Sequence, residues 1–503
     1  MFEKTRRWSA AATAAGLLVL AGACGGDDNR DSAASGTASD SAATTTDSSA
    51  TTMGGTDSGT VGSSGSDGSS SSTDSGTAGP TTNVSDSDGT DSDGTDSDTD
   101  GTTDSTTDPT DATDPTDSST TDPIDPTEDT CGDTGGMGGD IDFSYLWVAN
   151  TNQGSISKIN TVTLIEEARY YSDPNPPAAS PSRTSVSISG HYAAVSNRGT
   201  GTVSMFAATL DGCVDKNNDG VITTSPDKDT LVPFEEEECR IWTTTVNPPI
   251  AAYVGGPRGT TFAPGLFNEG TCEYDAQKLW VGWHTSNGIA YMARIDINSG
   301  TFDVTVPVEG WTASHAPYGA ALDGQGNVWF TGVFEDHLYR VNGKTFELSK
   351  WTSGLGHSPY GMTVDFNGIP WFGGYFGPVA YFDPVTETFG TIPDTDAYHR
   401  GIAVDLNYQV WVATNAGGGP GCGLQQVDGE TKTLIKNHVF PQCGTPVGVS
   451  IDLEGMVWMV DYDGWAWRMD PETEAKDQVL IGGVHYTYSD MTGGALKNVF
   501  VPE

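Results

Sequence analysis

The chain reads as all-β, a seven-bladed β-propeller, and two observations point there. Four stretches repeat one pattern: SHAPYGAALDGQGNVWF, GHSPYGMTVDFNGIPWF, YHRGIAVDLNYQVWV and GTPVGVSIDLEGMVWMV. Each runs toward a Trp in an apolar strand by way of a Gly and a turn Asp. The marker tryptophans, Trp329, Trp371, Trp411 and Trp458, lie 42, 40 and 47 residues apart. A repeat of this length built from short alternating strands is a propeller blade.

Weaker copies extend the pattern toward the N-terminus. KLWVGWHTSNGIAYMARIDINSG carries Trp280, and an insertion containing Cys272 parts its first strand from its second. SRTSVSISGHYAAVSNRGTGTVSMF has Ala194 at the marker, and SYLWVANTNQGSISKINTVT carries Trp147 but lacks a preceding inner strand. That strand is expected at the other end of the chain. HYTYSDMTGGALKNVF aligns with HSPYGMTV, placing His485 on His357 and Tyr488 on Tyr360. Such a strand closes the ring and removes two exposed sheet edges. The blades are then marked by Trp147, Ala194, Trp280, Trp329, Trp371, Trp411 and Trp458. The 86-residue interval from Ala194 to Trp280 is read as one blade plus an insertion at 211–240, which lacks strand alternation.

The propeller occupies residues 141–503. Residues 1–24 read as a signal peptide, with Lys4, Arg6 and Arg7 ahead of a short apolar run and small residues. The run ends in Leu20-Ala-Gly-Ala-Cys24, which resembles the lipobox of bacterial lipoproteins. The resemblance implies that Cys24 is acylated, and Gly25 after it favours the outer membrane or cell surface. Residues 25–140 are nearly all Ser, Thr, Asp, Gly, Ala and late Pro, too poor in apolar side chains to offset the entropy of ordering. Such a coil spans about 60 Å and serves as a tether. It holds roughly 26 acidic residues against one Arg, over half of the net charge of −45. Cation chelation or glycosylation of this tract are alternatives to simple solvation. The acidic balance excludes nucleic acid as a partner, since phosphate contacts need basic patches.

Seven cysteines leave six once Cys24 is set aside, an even number suited to an oxidising compartment. Proximity in sequence suggests Cys213 with Cys239 and Cys422 with Cys443, leaving Cys131 and Cys272. The inserted segment DGCVDKNNDGVITTSPDKD sets Asp215, Asn217, Asp219 and Gly220 at positions one, three, five and six of a calcium loop, with Ile222 as its apolar clamp. The twelfth position is Pro226, so Asp227 or the nearby Glu235 to Glu238 must complete the ligand set. The alternative is an Asx-rich turn braced by a Cys213–Cys239 bridge.

Residues just before the repeat Gly should face the channel mouth at the start of each inner strand. They are Arg258, Tyr318, Tyr360 and Arg400, with Val447 later, and Arg183 and Tyr488 are their equivalents in the second and closing blades. His315 and His357 lie three residues ahead of their tyrosines, and His485 matches them. A ring of His, Tyr and Arg suits an anionic or carbonyl-bearing ligand. The motif P-Y-G-x-x-x-D-x-x-G…W-F, carried by Pro317-Tyr318-Gly319…Trp329-Phe330 and Pro359-Tyr360-Gly361…Trp371-Phe372, resembles the repeats of the virginiamycin B lyase (streptogramin lyase) family. The resemblance covers 257–470 well and 141–256 loosely. It implies a seven-bladed propeller and a magnesium-assisted elimination that opens a cyclic ester. It also implies a catalytic His where this chain has Tyr318, Tyr360 or Arg400, and metal-holding acids where it has Gly332, Gly373, Gly374 and Thr414. Neither type carries over at its place.

The expectation is therefore a monomeric, membrane-tethered lipoprotein whose propeller binds a surface protein, a glycan or a small molecule without catalysis. The alternative is a metal-dependent lyase or lactonase at the channel mouth, with His315, His357 or His485 as base and magnesium as cofactor.

Overall fold

The computed structural model describes residues 144–268, 273–356, 358–415 and 420–499. Cys24, the tether, Cys131, Cys272 and His357 lie outside the described residues. The described chain forms seven blades around one axis. Six are four-stranded antiparallel sheets, and the first contributes three strands, Tyr145–Asn150, Ser155–Asn160 and Glu166–Tyr171. The inner strands of the others are Pro181–Val186, Thr260–Ala263, Gly319–Leu322, Pro359–Val364, His399–Val404 and Pro446–Ile451.

The open edge of blade 1 is covered by the C-terminal segment, as expected. Trp147 N donates to Met491 O at 2.9 Å and Thr151 N to Val484 O at 2.9 Å, around a single bridge between Asn150 and His485. The pairing is irregular because the segment also serves blade 2, where Thr184 N reaches Tyr488 O at 3.4 Å. Beyond it the helix Gly494–Val499 lies against the inner strands of blades 5, 6 and 7. Asp490 caps this helix, accepting the N–H of Gly493 at 2.9 Å and of Leu496 at 3.2 Å. A cavity of about 30 Å³, room for a water or two, lies beside the helix and is lined by Ala320, Met362, Ile402, Val449 and Leu496.

Why Asp and Trp recur together is now explicit. Asp323, Asp365, Asp405 and Asp452 each accept the indole N–H of Trp329, Trp371, Trp411 and Trp458 at 2.8 Å through one oxygen. The other oxygen takes two backbone N–H groups of the turn between the first and second strands, as from Asn367 and Ile369 to Asp365 at 2.9 Å. One buried carboxylate thus closes the turn and satisfies the indole in the core. Burial pushes the Asp405 and Asp452 carboxyls up, and these donors pull against it.

A second repeated device joins the third strand to the fourth. Asn160, Asp296, Asn342, Asp383, Asp428 and Asp470 each accept the N–H groups two and three residues on. The residue four places on has a left-handed backbone: Leu164, Gly300, Phe346, Glu387, Lys432 and Glu474. Blade 2 lacks this turn because the insertion replaces it. The insertion leaves after the strand Thr202–Ala207 and returns at Arg240–Thr245. It is tied at its base by the Cys213–Cys239 disulfide, and a second bridge joins Cys422 to Cys443. Among the described residues no helix is long and apolar enough to cross a membrane.

Removing one turn carboxylate should therefore cost far more inside a blade than at its rim. Asp365→Ala strands an indole and two backbone donors and is expected to lower stability by about 2–4 kcal/mol in urea denaturation. Asp383→Ala, at an exposed turn whose donors can turn to water, is expected to cost clearly less. Equal losses for the two would contradict this account of the repeat.

Candidate functional site

The residues before the repeat Gly, and their equivalents Arg183 and Tyr488, do face the axis. Arg183, Arg258, Tyr318, Tyr360, Arg400, Val447 and Tyr488 are all buried there. The Gly that follows lets neighbouring inner strands approach: a Cβ on Gly361 would meet the carbonyl oxygen of Arg400 at 2.1 Å. So the strand turns its last large side chain inward and then narrows.

Tyrosine hydroxyls fill the centre. Tyr360 Oη accepts from Tyr318 Oη at 3.0 Å and from Tyr488 Oη at 3.1 Å. Tyr486 Oη hydrogen-bonds both Tyr318 and Tyr360. Tyr486 and Tyr488 are two apart on an extended segment, so both project to the axis. The guanidiniums lie against these rings. Arg183 sits 3.9 Å from the Tyr488 centroid and 4.5 Å from that of Tyr318, and Arg400 sits 4.4 Å from Tyr360 and 4.5 Å from Tyr375. Desolvated contacts of this kind contribute up to about 2 kcal/mol each.

A second ring comes from the ends of the second strands, four residues past each marker: Thr151, Arg198, His284, Val333, Tyr375, Asn415 and Tyr462. Arg198 lies 4.3 Å from Tyr486 and 4.7 Å from Tyr253. This ring makes the mouth asymmetric. Arg183, Arg198, Arg258 and His284 belong to blades 2 and 3, with His315 on the loop entering blade 4. Blades 4 to 6 contribute Phe334, Tyr375, Phe376 and Tyr398, with the Arg400 guanidinium stacked on Tyr375 at 4.5 Å.

The cationic side has distinctive electrostatics. Burial pushes the Arg258 guanidinium down, and Arg198 and Arg183 push the same way. Burial and then Arg258 and Arg198 push His315 down to about 3, so the imidazole is neutral. His284 is lowered by burial, with Arg258 adding to it. Arg258 Nη1 donates to the carbonyls of Val254 at 2.8 Å, Gly256 at 3.1 Å and Tyr253 at 3.3 Å. Its Nε and Nη2, and Nη2 of Arg183, are buried without a hydrogen-bond partner among the described residues. Buried charged donors left unpaired are costly, and a guanidinium cannot shed its proton to escape. What such a site can do is accept an oxyanion.

The other expected residues are dispersed. His485 is fully buried and, in opposite register to Tyr486, turns away from the mouth into the seam between blades 1 and 7. Burial and the Arg169 guanidinium push it down to about 3, with the backbone of Ala149 and Gly464 pulling back. His399 is likewise buried, with Nε2 2.7 Å from Gln425 Oε1. Trp283 and Trp467, outside the repeat positions, are buried in the core. Asp461, three past Trp458, is an acid that the repeat reading passed over. It braces a loop by accepting the N–H of Gly444 at 2.8 Å and of Asp463 at 2.8 Å. It lies beside Cys422 and Cys443, whose sulfurs are bonded to each other and so are not metal ligands. The charges acting on His315 are all cationic, which does not fit a magnesium site there.

The inserted loop has the turn expected of it. Asp215 Oδ2 accepts Gly220 N at 2.9 Å, Asn217 Oδ1 accepts Asp219 N at 2.8 Å, and Asp219 Oδ1 accepts Val221 N at 2.9 Å. Asp227 closes a turn of its own, accepting Asp229 N at 2.8 Å and Thr230 N at 2.7 Å. Glu238 reaches the loop instead, accepting Lys216 N at 2.8 Å and Thr223 N at 2.7 Å.

Among solved structures the chain is similar to selenomethionine-substituted virginiamycin B lyase from Staphylococcus aureus, at TM-score 0.36 and 18% identity over 45% of this chain and 70% of that one. It is similar to a catalytically inactive form of that enzyme with quinupristin, at TM-score 0.43 and 13% identity over 67% and 89%. It is also similar to apo AztD from Citrobacter koseri, at TM-score 0.42 and 12% identity over 69% and 97%. The likeness is one of propeller architecture. No protein-family model matches the chain, and no curated protein matches it.

His485 supplies a test of the seam. Its folded-state pKa lies below the ordinary value of about 6.5, so between these values the unfolded chain binds a proton that the folded chain refuses. Its contribution is intact above pH 6.5 and is lost as pH falls toward the folded value. Relative to His485→Gln, the wild-type protein should lose about 2 kcal/mol between pH 6.5 and pH 5 in urea denaturation. A pH-independent difference would mean that the imidazole is not buried.

Proposed function

We propose that the chain is an extracytoplasmic lipoprotein, anchored through Cys24, whose propeller binds a small anionic ligand at its axial mouth and performs no catalysis of its own. The observation that carries this reading is the set of buried guanidinium donors on Arg258 and Arg183 that have no partner while their charges crowd one sector. A lyase or lactonase reading needs an acid, a base and a metal converging on the axis. Support for it is weaker, because the charges acting on His315 come from Arg258, Arg198 and Arg183 and none from a carboxylate. The Cys24 anchor draws on the signal-like start, and the tether gives the domain reach from a membrane.

Anion binding is tested by thermal unfolding at constant ionic strength with acetate or phosphate. Saturating anion should raise the wild-type midpoint by about 5 °C and leave Arg258→Met and Arg183→Met unmoved. No shift in the wild type at any concentration would overturn the reading. Replacing Cys24 by Ser should release the chain from the membrane fraction, and retention would contradict the anchor.

We also propose that the inserted loop takes calcium, because its Asx hydrogen bonds already hold Asp215, Asn217 and Asp219 on one turn. Calcium is expected to raise the midpoint of the wild type and not of Asp219→Ala. An equal response of the two would remove the site.

A further inference from the structure

We infer that the mouth takes an amphipathic organic acid, its carboxylate on Arg258 and Arg183 and a flat apolar body against Phe334 and Phe376, a reading that rests on the anion site proposed above. The donors left unpaired on Arg258 are Nε and Nη2. These are the two parallel N–H groups on one edge of the guanidinium fork, and a carboxylate accepts them together. Nη1, on the other edge, is spent on three backbone carbonyls that fix the orientation of the fork.

The opposite side of the mouth is built differently. Phe334 and Phe376 are 43% and 46% exposed, although each belongs to a knitted aromatic group. Phe334 lies 5.3 Å from Tyr375, Tyr375 4.5 Å from Phe376, and Phe376 4.9 Å from Tyr398. Phe334 also holds a left-handed backbone, φ 58°, in the turn that follows its strand. Tyr318 and Tyr360 connect the two sides, with centroids 4.8 Å apart. Arg258 lies 5.7 Å from the first ring, and Tyr375 lies 5.6 Å from the second.

Neither half suits a ligand of one character. An inorganic anion would leave the phenylalanines in water, and a neutral aromatic would leave the Arg258 edge unpaired. A planar acid with an apolar body satisfies both halves at once.

Three probes separate the halves: 2-naphthoate carries both features, acetate the head, and 2-naphthylmethanol the body. By calorimetric titration, 2-naphthoate should bind at least about tenfold tighter than either of the others. The double variant Phe334→Ser, Phe376→Ser, altered at exposed positions, should weaken 2-naphthoate at least about tenfold and leave acetate within about twofold. If 2-naphthoate binds no tighter than acetate while acetate still requires Arg258 and Arg183, the amphipathic ligand is wrong and the anion site stands. If 2-naphthylmethanol matches 2-naphthoate, the carboxylate has no role and the inference fails. If neither acid binds, or if both bind equally well to folded Arg258→Met and Arg183→Met, the anion site fails with it.

Discussion

The structure depends on its chain end returning to its beginning. Residues 484–491 complete blade 1, and without them the inner edge of Tyr145–Asn150 would present unpaired donors and acceptors along the axis. Each blade packs on its two neighbours, so closure gives the first and last blades the neighbour that each would otherwise lack. The same short segment then does two further jobs. Tyr486 and Tyr488 occupy the centre of the mouth, and the helix Gly494–Val499 seats against the inner strands farther along the axis. Closure, mouth and axial packing are thus one continuous stretch of chain.

Given closure, the chemistry of the mouth follows from what each blade places there. Six of the seven first-ring positions carry a large inward side chain, Val447 being the seventh, and three of the six are arginines. Arg198 joins them from the second ring, so four guanidiniums gather in a region with tyrosine faces around them. Cation–π contacts and backbone carbonyls stabilise these charges in part. Donors on Arg258 and Arg183 remain unpaired, and the neighbouring imidazoles stay neutral rather than add to the repulsion. A protein retains such an arrangement at a cost to stability, and the cost falls when an anion is held there.

Much of the fold was legible because its supporting interactions use one residue type at one register. The Asp and Trp of blades 4 to 7 recur since a single carboxylate serves a turn and an indole together, and neither can change alone. The first-ring residues were legible for a similar reason, being tied to a Gly that close strand approach requires. The second ring was missed, although it lies at a constant four residues past each marker, because Thr, Arg, His, Val, Tyr and Asn share no chemistry to betray the position. Tyr486 escaped because the alignment favoured Tyr488, whereas period-two alternation sends both to the axis. That alternation also removes His485 from the mouth, where matching it to His357 had put it.

The most direct measurement of the central claim is hydrogen exchange at two amides of blade 1. Trp147 N and Thr151 N donate to Met491 and Val484 across more than 300 residues of chain. If the C-terminal segment closes the ring, both amides should exchange only through global unfolding, with the same protection as the core amides of blades 4 to 7. Rapid exchange at Trp147 and Thr151 while those blades stay protected would contradict it.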